Sequence, residues 1–256
     1  MSGSPPRPHT PPLGVVALPA APAIVGTLVF VAAVVATPRE QWWAFAAHGV
    51  VIVTATVALR VPARVLRTRL ALEVPFIAFA VAMPLVGRAP HVHVAGLRLS
   101  EAGLWAAWAI VAKGTLGVAA SGLLVSTVPD VSLVAGLERL RVPRVLTGTM
   151  AFMLRYGDVV ADEQRRMRIA RLSRGDDPRW LWQAGTTARG LGALFVRSYE
   201  RGERVQVAMT SRGWSGTMPA HVLDDPTAPA ARGALPGLVL GAAAAVTIAV
   251  LAVVTG

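Results

Sequence analysis

The chain has 256 residues, 54% hydrophobic and only 15% charged, with a mean hydropathy of +0.55. That balance, with the apolar residues gathered into long runs, excludes an ordinary soluble domain and indicates membrane spans. The lack of cysteine excludes disulfides, thiolate metal sites and cysteine nucleophiles, and the +11 charge fits basic residues flanking spans.

Residues 1–12 are Pro-rich and polar, which predicts a disordered cytoplasmic tail. An apolar run follows at 13–37, with Pro19 and Pro22 near its start. Its length, its single preceding arginine and the spans after it make it an uncleaved first span rather than a signal peptide. A second run covers 41–59. The connection 60–73 carries Arg60, Arg64, Arg67 and Arg69, against Arg39 alone in the preceding loop, so the positive-inside bias puts 60–73 in the cytoplasm.

A third run covers 70–87 and a fourth 101–127, joined by an external loop with Arg88, His91, His93 and Arg98. The His91 and His93 pair has no third ligand nearby, so it reads as two solvated loop histidines rather than a metal site. Lys113, the one lysine of the chain, falls near the middle of the fourth run. An ammonium there costs roughly 2.5–3.5 kcal/mol on insertion scales and requires a partner. Glu73, near the inner end of the third run, is one candidate; backbone carbonyls are another. A structural lock between spans is the favoured role of both residues.

Residues 128–232 differ from the rest, with 16 arginines and 11 acids and no stretch that spans cleanly. Between Pro129 and Pro143, Leu133, Leu137 and Leu140 mark a short amphipathic helix. A long helix over 144–174 starts apolar and ends charged, and Gly175 to Pro178 stops it. A second helical stretch covers 179–212, weakened by Gly185, Gly190 and Gly192. The last run, 234–254, has no charge and spaces Gly233, Gly237 and Gly241 by four, either a close-approach stripe or ordinary glycine use in a span. These readings give an all-α polytopic membrane protein: a tail at 1–12, transmembrane helices one to four over 13–127, a polar helical block at 128–232 and a fifth span in 233–256.

No GxxxxGK[ST], HExxH or GxSxG motif is present. The chain therefore reads as non-catalytic and without a cofactor. Acids threaded among the arginines (Asp158, Asp162, Glu163, Glu200, Glu203) deny nucleic acid a continuous phosphate rail, while lipid contact beside the spans is expected.

One pattern recurs. Aligning Asp162–Gly175 with Glu200–Gly213 pairs Arg166 with Arg204, Ala170 with Ala208, Ser173 with Ser211, Arg174 with Arg212 and Gly175 with Gly213. An acid stands four residues before the first arginine in each copy. Arg166, Ala170 and Arg174 share one helix face, as do Arg204, Ala208 and Arg212. A glycine C-cap with arginine in the last turn explains either copy alone. The duplication points further, to a rigid basic end presented twice for docking.

The same residues resemble a known family. The run Met153 to Tyr156 (Met-Leu-Arg-Tyr), Asp162-Glu163, and Arg165 to Gly175 are similar to the transmembrane component of energy-coupling factor (ECF) transporters, the CbiQ/EcfT family. Leu194 to Val205, Ala208 to Gly216 and Glu138 to Pro143 fit it too, and the fuller wording around Phe195–Val205 and Met209–Pro219 resembles the cobalt branch. The resemblance implies a membrane scaffold whose two cytoplasmic coupling helices end in Ala-Arg-Gly-type signatures seated on two ATP-binding cassette subunits. Ser173 and Ser211 stand where alanine is common, and serine is small enough for the same groove. Arg174 and Arg212 would be the anchors, with Gly175 and Gly213 permitting close approach. A separate substrate-binding membrane subunit is implied, with cobalt(II) as cargo and nickel or a vitamin such as biotin behind it.

Overall fold

A computed structural model of the chain describes residues 15–86, 91–94, 97–175, 184–214 and 235–255. The expectations placed on residues 1–12, Arg88, Asp176 to Pro178, residues 215–232 and Gly233 lie outside the described residues. In chain order the elements are α1 (Ala20–Ala36), α2 (Trp42–Ala58), α3 (Ala63–Leu70), a 3-10 turn (Ala71–Glu73) and α4 (Val74–Val86). A β-hairpin follows, β1 (His91–Val94) and β2 (Leu97–Ser100), then α5 (Glu101–Thr127), α6 (Asp130–Arg139), α7 (Arg144–Leu172), α8 (Ala184–Thr210) and α9 (Leu235–Val254). Among the described residues the fold is all-α apart from that hairpin, whose antiparallel register pairs His91 with Ser100 and Val94 with Leu97.

Proline decides where several helices begin. Pro19, Pro62, Pro129 and Pro143 each stand immediately before a helix in extended backbone, preceding α1, α3, α6 and α7. A proline there interrupts no helical hydrogen bond, because the first N–H groups of a helix have no intrahelical acceptor. The start of α5 is set differently: the Ser100 hydroxyl accepts from the Gly103 N–H at 3.3 Å, with Glu101 in the first turn.

Among the described residues two compact units result, one of residues 15–140 with 235–255 and the other within residues 141–214. The first holds α1 to α6 and α9. Its core joins Phe30, Ala33 and Val34 of α1, Phe45 and Ile52 of α2, Leu116, Ala119, Ala120 and Leu123 of α5, and Ala245 and Ala249 of α9. Two glycines mark the closest approaches. A Cβ on Gly103 would lie 2.6 Å from the Met83 carbonyl oxygen of α4, and one on Gly136 of α6 would lie 2.7 Å from the Ala20 Cβ of α1. α6 thus packs with this bundle, although its sequence neighbours the polar block.

The outward faces of the same helices are also apolar. Leu28 and Val35 on α1, Val53 and Val57 on α2, Phe76 and Phe79 on α4, and Val239 and Leu240 on α9 are all exposed. Such a surface belongs in lipid. Hydroxyls inside these helices are satisfied without water. Thr37, Thr54, Thr56, Ser126, Thr127 and Thr247 each donate to the carbonyl four residues back, at 2.6–2.9 Å. α5, with 27 residues, and Pro236–Val254 of α9 are long and apolar enough to cross a bilayer; α1, α2 and Val74–Pro84 of α4 are shorter apolar helices. Together these features are those of a polytopic membrane protein.

Two expectations change here. The connection 60–73 is not all loop, because Pro62 starts α3, which runs through the 3-10 turn into α4 and packs on α5. Lys113 is central in α5 by sequence, yet its Nζ donates to the Val35 carbonyl at the C-terminal end of α1, at 2.8 Å. At the opposite end, the Leu18 N–H donates to the Thr127 carbonyl at 3.1 Å. The second half of α5 therefore matches the whole of α1, and its first half extends beyond α1 beside α4. Of the two partners weighed for Lys113, the structure supplies the carbonyl.

Glu73 is engaged elsewhere. It is 5% exposed in the 3-10 turn, and its Oε2 accepts from the Thr115 hydroxyl at 2.9 Å. The carboxylate lies against Gly114 of α5, tying the broken third run to the fourth.

Candidate functional site

The second unit is built on α7 and α8. Their contacts fix the direction in which they pass. Arg197 Nη1 of α8 donates to Glu163 Oε1 of α7 at 2.6 Å, and Arg171 Nη1 of α7 donates to Thr187 Oγ1 of α8 at 3.4 Å. Later residues of one helix meet earlier residues of the other, so the pair is antiparallel. Gly175 lies 12 residues beyond Glu163 and Gly213 lies 16 beyond Arg197. At 1.5 Å per residue those are about 18 Å and about 24 Å, in opposite directions. The two similar ends point away from each other.

Those ends are alike in detail. At the end of α7, the Ser173 N–H donates to the Ile169 carbonyl, the Arg174 N–H to Arg171 and the Gly175 N–H to Leu172, each at 3.0 Å. At the end of α8, the Ser211 N–H donates to Val207, the Arg212 N–H to Met209 and the Gly213 N–H to Thr210, again at 3.0 Å. The serine hydroxyls repeat the match, Ser173 to the Ala170 carbonyl and Ser211 to the Ala208 carbonyl, both at 3.0 Å. Gly175 and Gly213 adopt φ of +78° and +81°, the left-handed region that reverses the chain after a helix. A side chain at either glycine would meet no atom of this chain within 4 Å. Conformation, not crowding within the chain, requires glycine there.

All ten predicted docking residues are exposed: Arg166, Ala170, Ser173, Arg174 and Gly175 in one copy, Arg204, Ala208, Ser211, Arg212 and Gly213 in the other. Their immediate electrostatics differ. Glu163 Oε2 accepts from Arg166 Nη2 at 3.2 Å while its Oε1 takes Arg197, so one carboxylate gathers two guanidinium groups. Arg197 first and Arg166 second hold the Glu163 carboxyl below the usual carboxylate range. Asp162 stands four residues before Arg166 and Glu200 four before Arg204. Neither makes an ion pair among the described residues, and the residue after Asp162 makes the contact. Arg197 and Thr187 received no role from sequence, because partners 34 and 16 positions apart leave no local pattern.

Beyond this contact the helices leave an open cavity of about 750 Å³, lined by Phe152, Tyr156 and Val160 of α7, Val205 and Met209 of α8, and Trp214 just past the second glycine. Phe152 and Tyr156 stack with centroids 6.2 Å apart. No group of three or more His, Asp or Glu side chains is placed to hold a metal ion among the described residues. What the unit offers is two capped, cationic helix ends on one braced pair.

Comparison with known proteins places this arrangement. Residues 15–221 match the CbiQ family, described as cobalt transport protein. The cobalt transport protein CbiQ of Rhodobacter capsulatus is 30% identical over 207 residues, covering 77% of this chain and 80% of that protein. An uncharacterized protein of Methanocaldococcus jannaschii is 33% identical over 104 residues, 39% of this chain and 37% of its own length. A protein of Methanocorpusculum labreanum named as a fused cobalt transport protein, CbiMQ, is 30% identical over 111 residues, 43% of this chain and 18% of its own. The matched span takes in α1 to α6 of the apolar bundle and both basic helix ends, as the resemblance in the sequence implied. This chain belongs to the CbiQ cobalt transport protein family.

Proposed function

We propose that this chain is the transmembrane coupling subunit of an ECF-type importer for cobalt(II). It carries ATP-driven motion from two ATP-binding cassette subunits to a separate substrate-binding membrane subunit. The observation that carries the reading is the pair of matched ends: one hydrogen-bond pattern, one left-handed glycine and one exposed arginine, twice, at opposite ends of an antiparallel pair. A dimer of ATPases has two-fold symmetry, and a single asymmetric chain matches it by offering two similar ends.

In this reading α7 and α8 lie on the cytoplasmic side. Arg174 and Arg212 seat in grooves of the two ATPases and meet acidic groups there. Closure of the dimer on ATP moves the seats together, and the helices pass that displacement to the bundle. The chain hydrolyses no ATP itself. Cobalt follows from the family, whose Rhodobacter capsulatus relative is named for cobalt transport, and the fused relative CbiMQ supports a second membrane component in the assembly.

The test is the double reversal Arg174→Glu with Arg212→Glu, in membranes that also carry the ATPases and the substrate-binding subunit. Cobalt uptake and ATPase copurification are expected to be lost while the chain still inserts. Normal uptake by the double variant would refute the docking role. Uptake of nickel in preference to cobalt would keep the coupling role and overturn the assigned cargo.

A further inference from the structure

Apolar packing does not set the angle at which α7 and α8 cross. Along α7, Thr147 is the one buried residue described, and no described residue of α8 is buried. Beyond the contact the pair opens into the apolar cavity lined by Phe152 and Trp214. The hydrophobic effect has no direction, so so loose a pair is free to swivel unless something directional pins it. The directional contacts between the two helices that the described residues show are Arg171 on Thr187 and the Glu163 carboxylate with its guanidinium partners.

We propose that Glu163 is a positioning residue that fixes the crossing of α7 and α8, drawing Arg197 across from α8 and Arg166 along α7, so that the two arginine–glycine ends keep a set separation. The geometry supports it. Each carboxylate oxygen serves a different guanidinium, one on each helix. The Glu163 side chain is 21% exposed, while Arg197 and Arg166 are 61% and 68% exposed, so the acid sits in the crossing and the cations reach in from outside. Exposed ion pairs add little to overall stability, but favouring one crossing of two loosely packed helices over its neighbours needs only the modest energy of a carboxylate shared between them. Arg166 thereby leaves the docking set and joins the brace. Its counterpart Arg204 has no carboxylate in that place, an asymmetry that the matched backbones conceal.

The proposal rests on the coupling reading, since a fixed separation matters only if both ends must seat together. It is tested without any ATPase. The chain has no native cysteine, so Ile169→Cys with Val207→Cys, both exposed and at matching positions of the two copies, takes two spin labels on the full chain in lipid nanodiscs. A single narrow distance distribution is expected. Glu163→Gln and Arg197→Gln, removing the pair from either side, should each abolish the narrow peak, and Arg197→Lys, which keeps a cation, should retain it. Superimposable distributions for parent and both Gln variants would overturn the brace, as would loss of the peak in Arg197→Lys. A narrow peak in a chain that captures no ATPase would keep the brace and sink the coupling role.

Discussion

Gly175 and Gly213 show how a single residue type can be demanded by backbone conformation. At φ of +78° and +81°, with nothing near a would-be Cβ, alanine meets no clash, only the strain of a left-handed L-residue, about 1–2 kcal/mol. Gly175→Ala and Gly213→Ala are therefore expected to fray the last turns of α7 and α8, seen as roughly tenfold faster amide exchange there, with the bundle unaffected. Gly103 is demanded by clearance instead. Its Cβ would run into the Met83 carbonyl, so Gly103→Ala should cost about 1–3 kcal/mol and lower the unfolding midpoint in detergent. Lys113 is a third case. Its donor satisfies a carbonyl at the end of α1, one of four that a helix leaves open. Lys113→Met is expected to cost about 1 kcal/mol or less and to leave uptake intact; lost uptake at an unchanged midpoint would give the lysine a transport role.

At the scale of elements, the legible helices were those bounded by proline or carried by a long apolar run. Pro129 and Pro143 bracket α6 and open α7 within a residue or two of expectation. α3 was not legible, since an amphipathic stretch of only eight residues, three of them arginine, is too short to stand out as a helix, and it is completed by packing on α5. The hairpin escaped notice although its strands alternate, His-Val-His-Val and Leu-Arg-Leu-Ser, because four residues each is the shortest run that carries the signal. The two matched helix ends were plain in the sequence, being local and repeated; the crossing contact was not, because it joins distant residues. That contact also responds to solution conditions. The Glu163 carboxyl titrates below its ordinary range in the folded chain, so its contribution is whole above the ordinary value and lost as pH falls through the depressed one. The α7–α8 crossing should hold at neutral pH and loosen only once the pH has fallen below the ordinary glutamate range. At 1 M salt, where the screening length is about 3 Å, it should weaken at any pH. The spin-label distances already described measure both.

For the whole molecule, two kinds of surface divide the work. The bundle shows apolar residues outward on α1, α2, α4 and α9 and pairs helical hydroxyls such as Thr54 and Thr247 with its own carbonyls, so lipid is the solvent it was built for. The helix pair shows arginines outward and carries its two ends at most roughly 40 Å apart along its length, at 1.5 Å per residue. A force transmitter needs both properties, an anchor in lipid and two handles for a motor. Because the chain lacks cysteine, Ser173→Cys and Ser211→Cys can each carry a photo-crosslinker in membranes containing the assembled importer. The coupling account predicts that each position, tested singly, forms an adduct with an ATP-binding cassette subunit, and that a chain carrying both captures two such subunits. An end that labels only water or lipid in the assembled complex, at either position, would contradict it.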